Sequence, residues 1–103
     1  MNKIYAIMVV EKIAVNEKLH MPDFGCSQVV GWYSKFDRAY LSVSRNSCDI
    51  NETCYKYAII EECEEGLYNP SFKRWWFEYN SKENRYFEID EPDSMKKFHG
   101  FTF

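Results

Sequence analysis

The fold of this chain is decided by residues 29–68, VVGWYSKFDRAYLSVSRNSCDINETCYKYAIIEECEEGLY, which follow the pattern strand, helix, polar loop, strand. Ser34 begins a capping-box-like S-K-F-D, whose Asp37 would also complement the helix dipole. Asn46 tolerates the left-handed conformation that often follows a helix, so we expect the helix at about 34–46. Its apolar stripe would face a sheet and consists of Phe36, Ala39, Tyr40 and Val43.

Five segments are rich in β-branched, apolar or aromatic residues and are predicted to be strands. They are residues 3–12, 28–33, 54–63, 73–79 and 85–90. The last two, joined by the polar loop 80–84, predict an aromatic β-hairpin. Pro92 then stands where a first helical turn begins, so a short helix is predicted at 93–99. Residues 13–28 show no regular pattern, and a connection of that length is often functional.

These elements predict one α+β domain spanning residues 1–103. We expect a four- to five-stranded, mostly antiparallel sheet with the main helix on one face. A C-terminal aromatic β-hairpin and a short C-terminal helix complete the predicted architecture. A chain of this length can bury one core, which agrees with a single domain.

The composition indicates a compact protein and argues against several functions. Aromatic residues make up 18% of the chain, so some rings are expected on the surface, at an interface. The net charge of −3 argues against bulk nucleic-acid binding. Since no apolar run resembles a transmembrane helix or a signal peptide, we expect a cytoplasmic protein that does not bind membranes. The 4 glycines are isolated, which excludes the standard phosphate-binding loops.

The cysteines and one acidic loop are the candidate metal ligands. The cysteines are Cys26, Cys48, Cys54 and Cys63. They lack the close C-x-x-C pairs of zinc sites, so we expect reduced thiols. Asp49, Asn51 and Glu52 resemble part of a calcium loop, but the central glycine and terminal glutamate of that loop are absent. A turn stabilised by its own Asn and Asp side chains is the favoured interpretation, and no metal or other cofactor is expected.

Four acids lie at the end of the strand 54–63. They are Glu61, Glu62, Glu64 and Glu65. Side chains alternate between the two faces of a strand, so a solvated strand end is the simpler interpretation. The alternative is an acidic patch that binds the basic groove of another protein.

His20, Asp23 and Cys26 follow one another at spacings of three in the segment 13–28. These residue types can form a nucleophilic or metal site, but the sequence shows neither an oxyanion-hole motif nor a second set of ligands. No catalytic residue is therefore assigned, and an enzyme is not expected. His20 and Asp23 stay candidate residues for contact with a partner or ligand.

The predicted hairpin mixes bases with aromatic rings. The candidate contact residues there are Lys73, Arg74, Trp76, Arg85 and Tyr86. By strand alternation Trp75, Phe77 and Tyr79 share one face, which we interpret as core. Trp76 is on the other face and is expected to be exposed beside Arg74. An exposed ring with an arginine is typical of a protein-binding surface, and stacking on a nucleobase is the alternative.

The segments YSKFDRAYLSV, CDINETCYKYAIIEE and EGLY lie within residues 33–68. They resemble a family of small uncharacterised proteins of Gram-positive bacteria and their phages and prophages, as do the aromatic hairpin and the acidic segment at Pro92. The resemblance implies no activity, cofactor or site. It implies a mobile-element setting, in which small acidic proteins often act by binding, for example as inhibitors of host defence.

The expected function is therefore that of a non-catalytic binding protein of phage or prophage type, which acts through protein–protein interaction. The expected partner is either another protein, for example a bacterial defence factor that it would inhibit, or a second copy of this chain. The first alternative is a sponge-like module that binds a small ligand or nucleotide on the aromatic hairpin. The second alternative is an enzyme without a recognisable motif.

Overall fold

The computed structural model describes residues 2–64, 71–98 and 100–101, with the backbone alone at 71–72. In chain order the elements are β1 (Lys3–Val10), β2 (Ala14–Asn16), β3 (Met21–Asp23), β4 (Ser27–Tyr33), α1 (Phe36–Ser44), a 3-10 turn (Ser47–Asp49), β5 (Tyr57–Glu64), β6 (Ser71–Asn80), β7 (Arg85–Ile89) and a second 3-10 turn (Asp93–Met95). Five strands form one antiparallel sheet, and β2 and β3 form a second, two-stranded sheet. The predicted α+β class, with one main helix and a C-terminal hairpin, is confirmed.

The large sheet has the strand order β4–β1–β5–β6–β7, and each neighbouring pair is antiparallel. β1 and β5 are paired with Ile7 opposite Ile60 and Met8 opposite Ile59. Because successive side chains point to opposite faces, Ile7 and Ile60 face one side of the sheet and the other pair faces the second side. All four side chains are buried, so the sheet is covered on both faces, as continuous apolar strands predict.

The face of the sheet that packs against α1, here called the helix face, carries the larger core. Ala39 and Val43 are one helical turn apart and fully buried, which confirms the predicted apolar stripe. At the start of the helix, the rings of Phe36 and Trp75 lie with their centroids 4.4 Å apart. The buried residues of this core are Ile7, Val9, Ala39, Val43, Ala58, Ile60, Phe77 and Tyr86.

The opposite side of the sheet, here called the second face, is covered by two segments that are distant in sequence. Phe24, just after β3, and Met95, after β7, both belong to the core around Trp76. The buried residues of this core are Met8, Val10, Phe24, Ile59, Trp76 and Met95. The segment 13–28, expected to be irregular, thus contains β2 and β3. Each has three residues, which is too short to show alternation in the sequence.

The start of α1 differs from the prediction, and its end agrees with it. The residue that caps the helix is Lys35 and not Ser34, and among the described residues no side chain bonds to the cap. The expected capping box is therefore wrong, although Asp37 does lie in the first turn. Asn46 adopts a left-handed backbone with φ of 50°, just beyond the C-cap Arg45.

The chain after β7 forms a single 3-10 turn instead of the helix expected at 93–99. Pro92 is the residue before this turn, and its fixed φ of −59° leads the chain into it. His99 lies outside the described residues. Among the residues that the structure describes, no helix is long and apolar enough to cross a membrane.

Candidate functional site

Trp76 is the predicted contact residue whose position differs most from expectation. It is only 1% exposed, so the prediction that its ring lies on the surface is wrong. Its indole Nε1 donates a hydrogen bond of 2.8 Å to Oε2 of Glu91, and its ring centroid lies 6.3 Å from that of Phe24 and 5.7 Å from that of Phe101. Strand alternation places Trp76 opposite the helix correctly, but the second face is itself covered, and the ring is core.

Arg74, also expected on the surface, is held beside Trp76 by three hydrogen bonds and a contact with an aromatic ring. Its Nε donates to Oε2 of Glu91 over 2.7 Å, and its Nη1 donates to the Phe98 carbonyl over 2.7 Å. Nη2 donates to the Met95 carbonyl over 3.3 Å, and the guanidinium carbon lies 4.5 Å from the centre of the Phe101 ring. Arg74 therefore holds the C-terminal segment on the sheet, and its guanidinium is already bonded within the protein.

Glu91 is the acid that balances this arginine. Partial burial raises the pKa of its carboxyl, but the hydrogen bonds from Arg74 and Trp76 and the positive charge of Arg74 outweigh burial, so the net pKa lies below its ordinary value. Glu91 is therefore ionised at neutral pH and compensates the charge of Arg74. A phosphate that bound Arg74 would therefore have to compete with Glu91.

The other hairpin candidates do not form one surface either. Lys73 is exposed and, by register, shares the helix face with Tyr86. Tyr86 is buried, and its hydroxyl donates a 2.7 Å hydrogen bond to the Tyr55 carbonyl. Arg85 is exposed on the second face, with its guanidinium carbon 4.8 Å from the centre of the Phe87 ring. Sequence spacing brought these residues together, whereas the sheet separates them.

The acidic strand end is buried at its first two positions, so the interpretation of a solvated strand end is wrong there. Glu61 is 0% exposed, and its two carboxylate oxygens accept from the backbone N–H of Phe101 at 3.0 and 3.1 Å. Glu62 points to the helix face, where it forms a 3.1 Å ion pair with Lys3 and raises the pKa of that amine through their hydrogen bond. Glu64 is partly buried, and Glu65 lies outside the described residues. The alternative of one acidic docking patch is therefore not supported by Glu61 and Glu62.

The residues of the segment 13–28 do not converge on a site. His20 lies exposed in the turn between β2 and β3, with a left-handed φ of 52°. Asp23 pairs with Lys12 over 3.5 Å and accepts from the backbone N–H of Gly25 over 3.2 Å. Cys26 is exposed near the start of β4. In the described part of the chain, no three His, Cys, Asp or Glu side chains are grouped so that they could hold a metal ion.

The polar loop after α1 is a closed turn stabilised by asparagines. Oδ1 of Asn46 accepts from the backbone N–H of Asn51, and its Nδ2 donates to Oδ1 of Asn51 over 2.9 Å and to Oδ1 of Asn84 over 3.2 Å. Asn51 is 8% exposed, so its side chain faces the protein and not a solvent-side ion. These contacts agree with the turn interpretation and not with the calcium loop. Five residues of this loop have positive φ: Asn46, Cys48, Asp49, Glu52 and Thr53.

The most exposed apolar side chains of the large sheet lie on β4, where the sequence predicted a strand but no contact residue. Trp32 is 62% exposed and Val29 is 48% exposed. Their partners on β1 are Ala6 and Met8, so by register both point to the second face. No described strand pairs with the outer edge of β4. The signal that could have revealed them is the lack of charge, because residues 27–34 (SQVVGWYS) contain no side chain that is charged at neutral pH, whereas β7 at the other edge carries Arg85 and Glu88.

A bulge shapes this edge strand. The register between β1 and β4 shifts between Ile7 and Met8, so that Gly31 lies opposite Ile7, Val29 lies opposite Met8, and Val30 is the extra residue. Val30 packs with the helix-face core, as does Tyr33, whose hydroxyl lies 2.7 Å from that of Ser42 on α1. β4 is thus anchored to the helix on one face and leaves Trp32 and Val29 on the other. We call these two side chains, with the free outer edge of β4, the β4 edge surface.

No protein-family model, no curated protein and no solved structure matches this chain significantly. The β4 edge surface combines exposed apolar side chains with backbone groups that no described strand pairs.

Proposed function

We propose that this protein is a non-catalytic binding protein that docks onto a partner protein through the β4 edge surface. The observation that supports this most directly is the exposure of Trp32 next to the free edge of the sheet. Tryptophan is among the residues most enriched at binding hot spots. An edge strand offers backbone donors and acceptors to which an extended segment of another protein adds as a further strand.

The chemistry of the edge supports the same proposal. Natural edge strands are commonly protected by charged side chains, by proline or by bulges. β4 has a bulge at Val30 but no charged side chain, so its protection is incomplete. The partner segment that fits is extended and mostly uncharged, with an apolar side chain that packs between Val29 and Trp32.

The phage or prophage setting, the cytoplasmic location and the defence-factor partner belong to the proposal as well. They rest on the resemblance of residues 33–68 to that family, and they stay predictions. The alternative of a nucleotide-binding hairpin is weakened, because Trp76 is buried and Arg74 is bound to Glu91. No observation favours the alternative of an enzyme.

The experiment is a comparison of tagged variants in host lysate by quantitative mass spectrometry. Trp32→Ala and Val29→Lys are expected to lose at least one protein that the unchanged chain captures. Phe87→Ala, which removes an exposed ring from the opposite edge strand, is the matched control and should capture the same proteins as the unchanged chain. If Trp32→Ala and Val29→Lys capture the same proteins in the same amounts, the β4 edge surface is not the docking site.

A further inference from the structure

A cleft of about 300 Å³ opens on the helix face, between β4 and the end of α1. Ile7 and Gly31 on the sheet line it from one side, and Ser42 on α1 and Ile50 beyond the 3-10 turn line it from another. The cleft lies on the same side of the sheet as the larger core but is not filled by it. Its volume is at the lower end of the range of about 300–1,000 Å³ that is usual for small-molecule sites.

The absence of a side chain at Gly31 keeps this cleft open. A Cβ atom built at Gly31 would meet no atom within 4 Å, so the neighbouring residues would accommodate a larger residue. Gly31 does not have positive φ, so its backbone does not require glycine. A glycine inside a strand costs stability and often marks a place where another group approaches closely. The space above Gly31 therefore suits an occupant that the described residues do not supply.

The lining defines the chemistry of that occupant. Ile7, Val30 and Ile50 provide apolar surface. The Trp32 side chain also borders the cleft, and the polar groups include the Tyr33 and Ser42 hydroxyls, which lie 2.7 Å apart. Two hydroxyls that share one hydrogen bond keep further capacity to accept or donate a second one. No charged side chain is among the described residues that line the cleft, so a charged ligand would lose its hydration without gaining a counter-ion.

We propose that this cleft binds a small, uncharged molecule that has one or two rings and a single hydroxyl, carbonyl or N–H group. An apolar cavity of about 150 Å³ is enough to take up benzene, so a cleft of twice that volume accommodates a bicyclic ring system. The ring would lie over Gly31 against Ile7 and Ile50, and its polar group would reach the Tyr33–Ser42 pair. Trp32 borders both this cleft and the β4 edge surface, but Gly31 and Val29 point to opposite faces of β4, so that Gly31→Val tests the cleft and Val29→Lys tests partner docking.

The first test is a titration of the full chain with indole, phenol and cyclohexanol, followed by backbone amide NMR. The signals of Gly31, Ser42 and Ile50 are expected to shift together and to saturate. Gly31→Val should raise the Kd of indole by at least about tenfold, because its side chain occupies the ring position, and Gly31→Ala should raise it by less. Phe87→Ala should leave the Kd within about twofold, since it lies on the far edge strand.

Benzoate is the charged control and should not bind, because the cleft offers it no cation. Alkylation of Cys48, an exposed residue that borders the cleft, gives a second readout. Indole should slow the alkylation of Cys48 while leaving exposed Cys26 unaffected, as followed by peptide mass spectrometry. The proposal is overturned if no probe shifts these signals up to its solubility limit, or if benzoate binds as well as indole. An unchanged Kd for both Gly31 variants would also overturn it.

Discussion

Nε of Arg74 lies 2.7 Å from Oε2 of Glu91, and the two side chains are only 10% and 23% exposed. The same oxygen accepts from the indole of Trp76, so one carboxylate orders both a cation and a ring on the second face. Arg74 also binds the carbonyls of Met95 and Phe98. This pair therefore connects the central sheet to the C-terminal segment that covers it.

Glu91→Ala is expected to lower the free energy of unfolding by about 3 kcal/mol, because it leaves a largely buried guanidinium without its counter-ion. Urea unfolding followed by circular dichroism measures the change. Glu83→Ala is the matched control, since Glu83 is an exposed acid in the turn of the hairpin. Glu83→Ala should change the free energy of unfolding by no more than about 0.5 kcal/mol. Equal effects of the two variants would contradict the role given to Glu91.

The same pair makes stability depend on acid pH. The pKa of Glu91 is lower in the folded chain than in the unfolded chain, where a value of about 4.3 is usual. The stability that ionised Glu91 contributes is therefore fully present above the unfolded pKa and is lost as pH falls through the lower folded pKa. Urea unfolding at several pH values from neutral to acid should show this loss in the unchanged chain. Glu91→Gln should lose less unfolding free energy over this pH range. If its unfolding free energy falls with pH as steeply as that of the unchanged chain, Glu91 is not the group responsible.

Trp76→Ala and Trp32→Ala should differ strongly in how far they destabilise the protein, although each removes a tryptophan ring. Trp76 is buried, so its removal should cost about 3–5 kcal/mol in unfolding free energy. Trp32 is mostly exposed, and its removal should cost less than about 0.5 kcal/mol. Acrylamide quenching offers a direct check, because Trp32→Ala should remove the most accessible part of the emission. If Trp32→Ala unfolds the protein, Trp32 is structural and the docking proposal loses its anchor.

Tyr86 predicts a loss of stability in alkali. Burial above all, with the nearby Tyr79 and Cys54, raises the pKa of its hydroxyl far above the ordinary value. A raised folded pKa gives stability that is complete below the unfolded value of about 10 and declines as pH rises towards the folded value. Tyr86→Phe should reduce this decline. At neutral pH it should cost about 1–2 kcal/mol, because the Tyr55 carbonyl loses its donor.

Thr53 has a φ of 62°, a conformation that a β-branched residue adopts only at a cost. Thr53→Gly should therefore raise the free energy of unfolding by about 0.5–1 kcal/mol. The strain relieved in the folded state is expected to exceed the entropy that glycine adds to the unfolded chain. Ser47→Gly, in the same loop but without positive φ, is the control and should lower it by about 0.5–1 kcal/mol. Thermal unfolding at fixed pH compares the two, and a destabilised Thr53→Gly would show that Thr53 makes contacts beyond its backbone.

Local patterns in the sequence predicted the elements whose side chains repeat over several turns or pleats. The spacing of Phe36, Ala39 and Val43 located α1, and the alternation along β6 separated Trp75 from Trp76 correctly. The error lay in assigning one of those faces to solvent. The cover of the second face is built from Phe24, Met95 and their neighbours, in three-residue strands and a single 3-10 turn that have no periodicity to detect.

The order of the strands in the sheet could not be predicted from local patterns either. The apolar pattern of residues 28–33 predicts a strand, but the place of this strand at the edge of the sheet follows from its pairing with β1 alone. The exposure of Trp32 and Val29 depends on that place. In the same way, strand alternation cannot show that Glu61 is buried, because its backbone partner Phe101 is 40 residues away.

The cover over Trp76 has a consequence for the order in which the molecule assembles. Hairpins such as β6–β7 join neighbours in sequence, whereas the core around Trp76 needs Phe24 and Phe101 from nearly opposite parts of the chain. Contacts of such long separation form slowly, because the loop between them must close first. The hairpin β6–β7 is therefore expected to form early, and the cover around Trp76, which rests on three-residue strands and a single 3-10 turn, to close last and to open first in the native state.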